Sequence, residues 1–288
     1  MSSDILGGMY LTLLHAGKRR TAKMHLSITF ARLKRMLSKA KIKLVQSLVH
    51  KKHRDTLGLF TVEGNKSVVE LLRSKIRVNS LFATHEWLIT QPDSTFANDM
   101  DVHEVTAAEM RQLSSLTSPG QVLAVAVIPE NELVSHTAQG LILALDGIQD
   151  PGNLGTIIRV ADWYGISHIV CSMHCADVYN PKTVQASMGS FLRVRTIRCS
   201  LSEYLAGCGL PVYGAVLNGE SAYGLHMPQN AVLVIGNEGS GISPDISPYV
   251  QFPVSIPRRG EAESLNAAVA TAILCDTWAR NLTTPNNS

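Results

Sequence analysis

No apolar segment of this 288-residue chain is long enough to cross a membrane. The longest, residues 267–275 with a single threonine, has nine residues, whereas a spanning helix needs roughly 20. This run is therefore predicted to be a core helix. Charged residues make up only 17% of the chain and hydrophobic residues 45%, which is the balance of a globular protein with a core rather than of a disordered one.

Paired cysteine motifs are also absent. The five cysteines form no CxxC pair and make an odd count, so the sequence indicates neither a zinc site nor a disulfide framework. Reduced thiols in a cytoplasmic protein are the simplest interpretation.

Acidic residues are nearly missing from the first 55 positions, which hold 13 of the 26 lysines and arginines but only Asp4 and Asp55. A basic end favours a phosphate-rich partner, although a solvated helix face explains the charge equally well. Residues 1–35 show no clear period and no helix caps. We expect them to be an extension upstream of a working start at Met36, with a basic RNA-binding arm or a targeting segment as alternatives.

From residue 36 onwards the patterns become regular. Apolar residues at helical spacing predict one helix over residues 37–55, and its basic face makes Lys51, Lys52 and Arg54 candidate RNA contacts. Short strands and helices follow, including a helix that Thr106 should cap together with Glu109. We predict a small α/β domain at residues 36–130, a polar linker at 131–140 and a second domain at 141–288.

The second domain alternates apolar strands with helices, which predicts a parallel sheet covered on both faces. Such sheets bind ligands at the carboxyl ends of their strands. Three loops at these ends carry unusual polar residues, and each also has a purely structural explanation.

The first loop, "DGIQDPGNLGTIIRVADWYG", leads into a helix that we predict to begin near Asn153 as its N-cap. Arg159 lies six residues further on. It is either an exposed surface residue or a ligand for an anionic group, because the planar guanidinium suits a phosphate.

The second loop, "IGNEGSGIS", starts at Ile235 and contains three glycines around Glu238. Glycines allow close backbone approach and positive φ, so this is either a tight turn or a ligand-binding loop. Its spacing fits neither a dinucleotide fingerprint nor a Walker loop.

The third loop, "IPRRGEAESLN", precedes the apolar run. Ser264 could cap the last helix. A cap leaves Asn266 and the two arginines, Arg258 and Arg259, unexplained.

Taken together and in this order, the three motifs resemble the SpoU or TrmH-like family of SPOUT RNA methyltransferases. The similarity covers roughly residues 141–280 and includes "ADVYNPKTVQASMGSFLRV" between the first two motifs. The preceding domain resembles, more loosely, the substrate-binding domain of such enzymes. The resemblance implies a parallel α/β sheet closed by a deep trefoil knot, a homodimer with its active site near the dimer interface, and methyl transfer from S-adenosylmethionine to a ribose 2′-hydroxyl of RNA, with ribosomal RNA favoured over tRNA.

The resemblance also implies roles for individual residues. The motif residues Asn153, Arg159, Glu238, Ser264 and Asn266 correspond to the catalytic set, with Arg159 either a general base or a group that positions the ribose and its phosphate. The backbone of Gly236, Ile256 and Leu265 should hold the cofactor, and a loop at Asn218 and Gly219 should line the same pocket. Arg258 and Arg259 are either additional phosphate contacts or solvated side chains. No metal is expected, because the sulfonium already carries the leaving group.

Two alternatives remain at this point. One is a non-catalytic RNA-binding or ribosome-assembly protein of the same fold, and the other is a SPOUT enzyme that methylates a base. A nucleotide-binding oxidoreductase is disfavoured by the glycine spacing. The sequence leaves the target RNA and the target nucleotide open.

Overall fold

The computed structural model describes residues 37–92, 95, 100–130 and 139–283. The basic extension at residues 1–35, the expected start at Met36 and most of the predicted linker, residues 131–138, lie outside this part of the chain.

The N-terminal half forms a four-stranded sheet with the strand order β1-β4-β2-β3. Strand β4 runs antiparallel to both β1 and β2, whereas β2 and β3 are parallel. The elements are, in chain order, α1 (Lys39–Ser47), α2 (Lys51–Leu57), β1 (Leu59–Glu63), α3 (Asn65–Arg73), β2 (Val78–Ala83), α4 (His85–Leu88), β3 (Asp101–Glu104), α5 (Ala107–Leu113) and β4 (Val122–Val127). The predicted capping box of Thr106 and Glu109 is present at the start of α5.

The prediction of one helix over residues 37–55 is wrong, because the chain turns between α1 and α2. The side chain of Arg54 explains the break. Its Nη1 donates to the backbone carbonyl oxygens of Leu48 at 2.7 Å and Val49 at 2.8 Å. An uninterrupted helix would use those carbonyls for its own hydrogen bonds.

The C-terminal half forms a six-stranded sheet with the order β10-β8-β9-β5-β6-β7, and every strand pair in it is parallel. Its elements are β5 (Leu141–Leu145), α6 (Pro151–Trp163), β6 (His168–Cys171), α7 (Pro181–Ser187), β7 (Arg195–Arg198), α8 (Leu201–Gly207), β8 (Val212–Ser221), β9 (Ala231–Ile235), β10 (Phe252–Ser255) and α9 (Ala267–Thr283), with 3₁₀ turns at Ser190–Leu192 and Ser247–Tyr249. The predicted parallel α/β sheet behind a smaller α/β domain is confirmed.

Side chains of the central strand β5 alternate between two hydrophobic clusters, as the pleat of a strand requires. Leu141, Leu143 and Leu145 pack in a cluster with buried residues of α6, α7 and α9. Ile142 and Ala144 pack on the other face, in a cluster with buried residues of α8. Both faces of the sheet are therefore covered by helices. The strands all end at one edge, which is where the three polar loops begin.

Strand order and register say nothing about how the chain threads, so the trefoil knot stays a prediction. Among the helices of the described residues, none is long and apolar enough to cross a membrane.

Candidate active site

The three polar loops meet in a short chain of hydrogen bonds centred on Asn153. The side-chain nitrogen of Asn153 donates to Oε1 of Glu238 at 2.6 Å. The side-chain nitrogen of Asn266 donates to Oδ1 of Asn153 at 2.9 Å. Glu238 follows β9 and Asn266 follows β10, while Asn153 lies in the first turn of α6, which follows β5. Residues 85 and 113 positions apart are thus joined at one edge of the sheet.

Asn153 is free to make these contacts because it does not cap its helix, so the prediction of an N-cap at Asn153 is wrong. The N-cap of α6 is Asp150, whose Oδ1 accepts from the backbone N–H of Asn153 at 2.9 Å. Pro151 follows at the first helical position, where its missing N–H costs nothing. An aspartate directly before a proline is a sequence signal that could have located this cap.

Ser264, which the sequence offered as a possible cap, does not cap the last helix. Helix α9 begins at Ala267, and Oδ1 of Asn266 accepts from the backbone N–H groups of Ala268 at 3.0 Å and Val269 at 3.3 Å. Asn266 therefore caps α9 with its oxygen and binds Asn153 with its nitrogen. Ser264 is exposed and makes no hydrogen bond to the described residues.

The loop that carries Glu238 is held from both sides. Oδ1 of Asn237 accepts from the backbone N–H groups of Gly239 and Ser240, and its Nδ2 donates to the Gly147 carbonyl at 2.9 Å. A β-carbon on Gly236 would lie 2.3 Å from the Gly241 carbonyl carbon, so only glycine fits where the loop closes on itself. The sequence motifs assign no role to Asn237, whose contacts appear only in the folded chain.

Arg159 does not join the cluster of Asn153, Glu238 and Asn266. It is exposed, and its side chain makes no hydrogen bond or ion pair with the part of the chain that the structure describes. Six residues along a helix correspond to about 9 Å of rise and about a third of a turn away from Asn153. Arg159 instead lies near the helix face of Trp163, which is 85% exposed.

The residues expected to hold the cofactor lie at or near the ends of three adjacent strands. Gly236 directly follows β9 and Ile256 directly follows β10. The backbone groups of Gly236, Ile256 and Leu265 make no backbone–backbone hydrogen bond within the described residues, as expected of groups that bind a ligand. Asn218 and Gly219 belong to strand β8 rather than to a loop. A β-carbon on Gly219 would lie 2.6 Å from the backbone of Pro253, which explains the glycine by packing against β10.

Comparison with known proteins identifies the family. The model described as the SpoU rRNA Methylase family matches residues 140–276, and the model of an MRM3-like substrate binding domain matches residues 39–124. The chain is 33% identical over 238 residues to the 23S rRNA (guanosine(2553)-2′-O)-methyltransferase RlmP of Bacillus subtilis. The aligned region covers 81% of this chain and 94% of that enzyme. The chain belongs to the SpoU rRNA methylase family.

Two solved structures resemble this SpoU methylase closely. One, from Porphyromonas gingivalis and assigned to the TrmH family of RNA methyltransferases, has a TM-score of 0.76 at 40% identity and covers 85% of this chain and 99% of that one. The other is an AdoMet-bound rRNA methyltransferase from Sinorhizobium meliloti, with a TM-score of 0.79 at 28% identity, covering 88% of this chain and 99% of that one.

The RNA-binding residues predicted for this SpoU chain differ in their accessibility. Lys52 is exposed, and Lys51 is exposed although it pairs with Asp55 at 2.5 Å. The structure corrects the assignment of Arg54, whose side chain is only 1% exposed and is bound to Asp177 at 2.6 Å. A guanidinium buried in this way is not available to RNA phosphates. Arg258 and Arg259 are exposed in the loop before α9.

A lysine outside the three motif loops stands beside the site. Nζ of Lys182, on α7, lies 2.7 Å from Oδ2 of Asp150. This hydrogen bond is the main cause that lowers the pKa of Asp150 below its ordinary value, and the hydrogen bond from the backbone N–H of Asn153 is the second cause. The cap of α6 therefore stays ionised at neutral pH, which favours its bond to the helix N-terminus.

Proposed function

We propose that this chain transfers the methyl group of S-adenosylmethionine to a ribose 2′-hydroxyl of ribosomal RNA, with tRNA as the second candidate substrate. The observation that carries the proposal is the hydrogen-bonded chain of Glu238, Asn153 and Asn266. It joins the three motif loops of the family at the ligand-binding edge of the sheet. The name of the Bacillus relative, which this chain matches over 94% of that enzyme's length, supports the same reaction.

The cofactor fits the backbone at the ends of β9 and β10. The free N–H and C=O groups of Gly236, Ile256 and Leu265 can recognise the edge of an adenine without polar side chains. The bound AdoMet of the Sinorhizobium structure supports this cofactor. When bound, S-adenosylmethionine supplies an electrophilic methyl group on a sulfonium.

The residues of the chain then position the ribose. An arginine stays protonated because its pKa is above about 12, so Arg159 is better suited to holding a phosphate than to accepting the hydroxyl proton. Glu238 and Asn266 keep Asn153 in one orientation. The three side chains together form a fixed polar surface that can orient the ribose by hydrogen bonds. Ser264 and the exposed Arg258 and Arg259 are placed in the loop that could contact the RNA backbone. Orientation of this kind supplies a large share of the rate in many transfers.

The active enzyme is a homodimer in this proposal. Large apolar side chains are exposed on α6 and at α9, namely Trp163 at 85%, Val269 at 48% and Leu265 at 45%. A contiguous exposed apolar surface is typical of a protein–protein interface, and we assign these side chains to one. Because Arg159 lies near the face of Trp163, pairing of two copies through this surface would carry Arg159 into the region between them. We also expect the methyltransferase domain to contain the trefoil knot that the family resemblance implies.

The cysteines support a reducing location. All five are free thiols, and four of them are buried. We expect the enzyme to work in the cytoplasm, where thiols stay reduced.

A methyl-transfer assay tests the proposed reaction. The protein is incubated with methyl-labelled S-adenosylmethionine and in vitro transcribed large-subunit ribosomal RNA or, separately, tRNA, and the RNA is digested to nucleosides. A labelled 2′-O-methyl nucleoside that disappears in Arg159→Ala is the expected product. A labelled base would point to base methylation instead, and cofactor binding without any label would point to a protein that only binds RNA.

A further inference from the structure

The joint between the two domains is built around a buried ion pair. Nε and Nη2 of Arg54 donate to Oδ2 of Asp177 at 3.0 and 2.6 Å, while Nη1 binds the Leu48 and Val49 carbonyls. The side chain of Arg54 is 1% exposed and that of Asp177 is 18% exposed. Two of the four hydrogen bonds from this guanidinium fix α2 of the substrate-binding domain to the loop after β6 of the methyltransferase domain, and the other two stay within the substrate-binding domain.

Two further contacts cross the same boundary. The ring of Phe60, on β1, packs against Tyr179 at 4.6 Å and edge-on against Phe191 at 5.9 Å. Arg193 bridges Glu70 of α3 at 2.7 Å and Asp162 of α6 at 2.8 Å. The substrate-binding domain therefore packs against the methyltransferase domain in one defined orientation and is not joined to it by the linker alone.

The loop that Arg54 holds leads directly to the active site. The Asp177 carbonyl accepts from the Asn180 N–H at 3.1 Å and from Thr183 Oγ1 at 2.9 Å. Asn180 caps α7 by accepting from the Lys182 N–H at 2.9 Å. Lys182 in turn binds Asp150, and Asp150 caps α6. A continuous series of hydrogen bonds therefore connects Arg54 to the first turn of α6, where Asn153 lies.

The same arginine belongs to the helix that carries the candidate RNA contacts. Lys51 and Lys52 occupy the first turn of α2 and are exposed, whereas Arg54 in the same helix is buried. Phosphate contacts fix the register of a nucleic acid on a protein without reading its sequence. In the proposed function, the separation of α2 from Asn153 therefore sets the separation between a phosphate held by the lysines and the reacting ribose.

We propose that Arg54 is a specificity-determining positioning residue: by holding Asp177, it fixes the separation between the lysines of α2 and the active site, and so selects which ribose is methylated. The inference rests on the proposed function. Arg54 does not touch the RNA or the cofactor, and it acts through the seating of one domain on the other.

The test uses two variants that weaken the joint from opposite sides. Arg54→Lys keeps the charge but loses the fork that binds Asp177 and the two carbonyls together. Asp177→Asn keeps the size of the side chain but removes the charge. Arg280→Met, which breaks an ion pair within α9, is the matched control. The full chain is assayed with in vitro transcribed large-subunit ribosomal RNA, and the methylated nucleotides are mapped by reverse-transcription stops.

The expected result is a redistribution of methyl groups. In both joint variants the share at nucleotides other than the wild-type target should rise about fivefold, and the rate at the target should fall about tenfold, because a misplaced ribose reacts slowly. The affinity for S-adenosylmethionine and the salt dependence of RNA binding should stay at the wild-type values, and Arg280→Met should keep the wild-type pattern.

An unchanged methylation pattern in a folded variant overturns the inference, even if the overall rate falls with the folded fraction. If Arg54→Lys does not fold, Asp177→Asn decides the question alone. A wild-type protein that methylates no ribose refutes the proposed function and the inference with it, whereas normal wild-type methylation with unaltered variant patterns refutes the inference only.

Discussion

Asn266 donates its side-chain amide to Asn153 at 2.9 Å while its oxygen caps the helix that follows it. One residue therefore starts α9 and aligns the centre of the candidate active site. The loop before the apolar helix is polar because its last residue must both cap that helix and bind Asn153.

Replacement of Asn266 should separate these two purposes. In Asn266→Asp a carboxylate oxygen still caps α9, so stability should be retained, but the donor to Asn153 is removed and methyl transfer should fall about tenfold or more. Asn266→Ala should lose the same activity and, in addition, about 1 kcal/mol of stability. Thermal unfolding and label incorporation measure both. Equal activity in wild type and Asn266→Asp would contradict a role for the Asn266–Asn153 bond.

Arg159 should matter for activity and not for folding. It is exposed and has no partner among the described residues, so Arg159→Ala should leave the unfolding midpoint and the cofactor affinity unchanged. The rate of methyl transfer should fall about a hundredfold, because the ribose is no longer held in line with the methyl group. Arg159→Lys, which keeps a point charge without the fork, should recover only part of the rate. Full activity in Arg159→Ala would remove it from the catalytic set.

The lysines of α2 should govern RNA affinity. Lys51→Ala/Lys52→Ala should weaken binding of ribosomal RNA and lower the slope of log affinity against log salt by about 0.7 to 0.9 for each phosphate that the protein no longer neutralises. Lys75→Ala, an exposed lysine of the same domain outside α2, serves as the control. Filter binding at several salt concentrations gives the slope, and identical slopes in all three proteins would rule out RNA binding by α2.

Gly155 should tolerate no side chain. A β-carbon there would lie 2.5 Å from the Thr183 carbonyl oxygen and 2.6 Å from Cβ of Ala186, where α6 crosses α7. Gly155→Ala should therefore lower the free energy of unfolding by about 1–3 kcal/mol. Gly260→Ala, with nothing within 4 Å of its β-carbon, should change it by less than about 0.5 kcal/mol. Denaturant titration distinguishes the two, and equal stabilities would mean that the helices can move apart.

Trp163 should hold two copies together. Trp163→Glu puts a charge on the proposed apolar interface, and light scattering should then give the mass of one chain, with loss of methyl transfer. Ile89→Glu alters a residue of the substrate-binding domain that is 65% exposed and should leave the mass and activity unchanged. A wild-type mass of one chain, or a dimer that survives Trp163→Glu, would contradict the proposed interface.

The fold class and the loops in which the site lies could be predicted from the sequence. Apolar strands alternating with helices require a sheet buried on both faces, and the ends of its strands were therefore the places to look. The three motif loops were recognisable because their polar residues, among them Asn153, Glu238 and Asn266, resemble the motifs of the SpoU family when they are taken together and in order. Local rules failed for caps, because several residues competed for each helix start: Asp150 rather than Asn153 caps α6, and Asn266 rather than Ser264 caps α9.

The contacts between the polar side chains could not be predicted before the folded chain was known. Arg54 appeared in the sequence as one more charge in a basic helix, yet it is buried against Asp177, which lies 123 positions away. Arg159 was expected in the same catalytic set as Asn153, yet it lies on another side of α6. Contacts between residues so far apart depend on how the domains pack, and neither residue periodicity nor local charge records that packing.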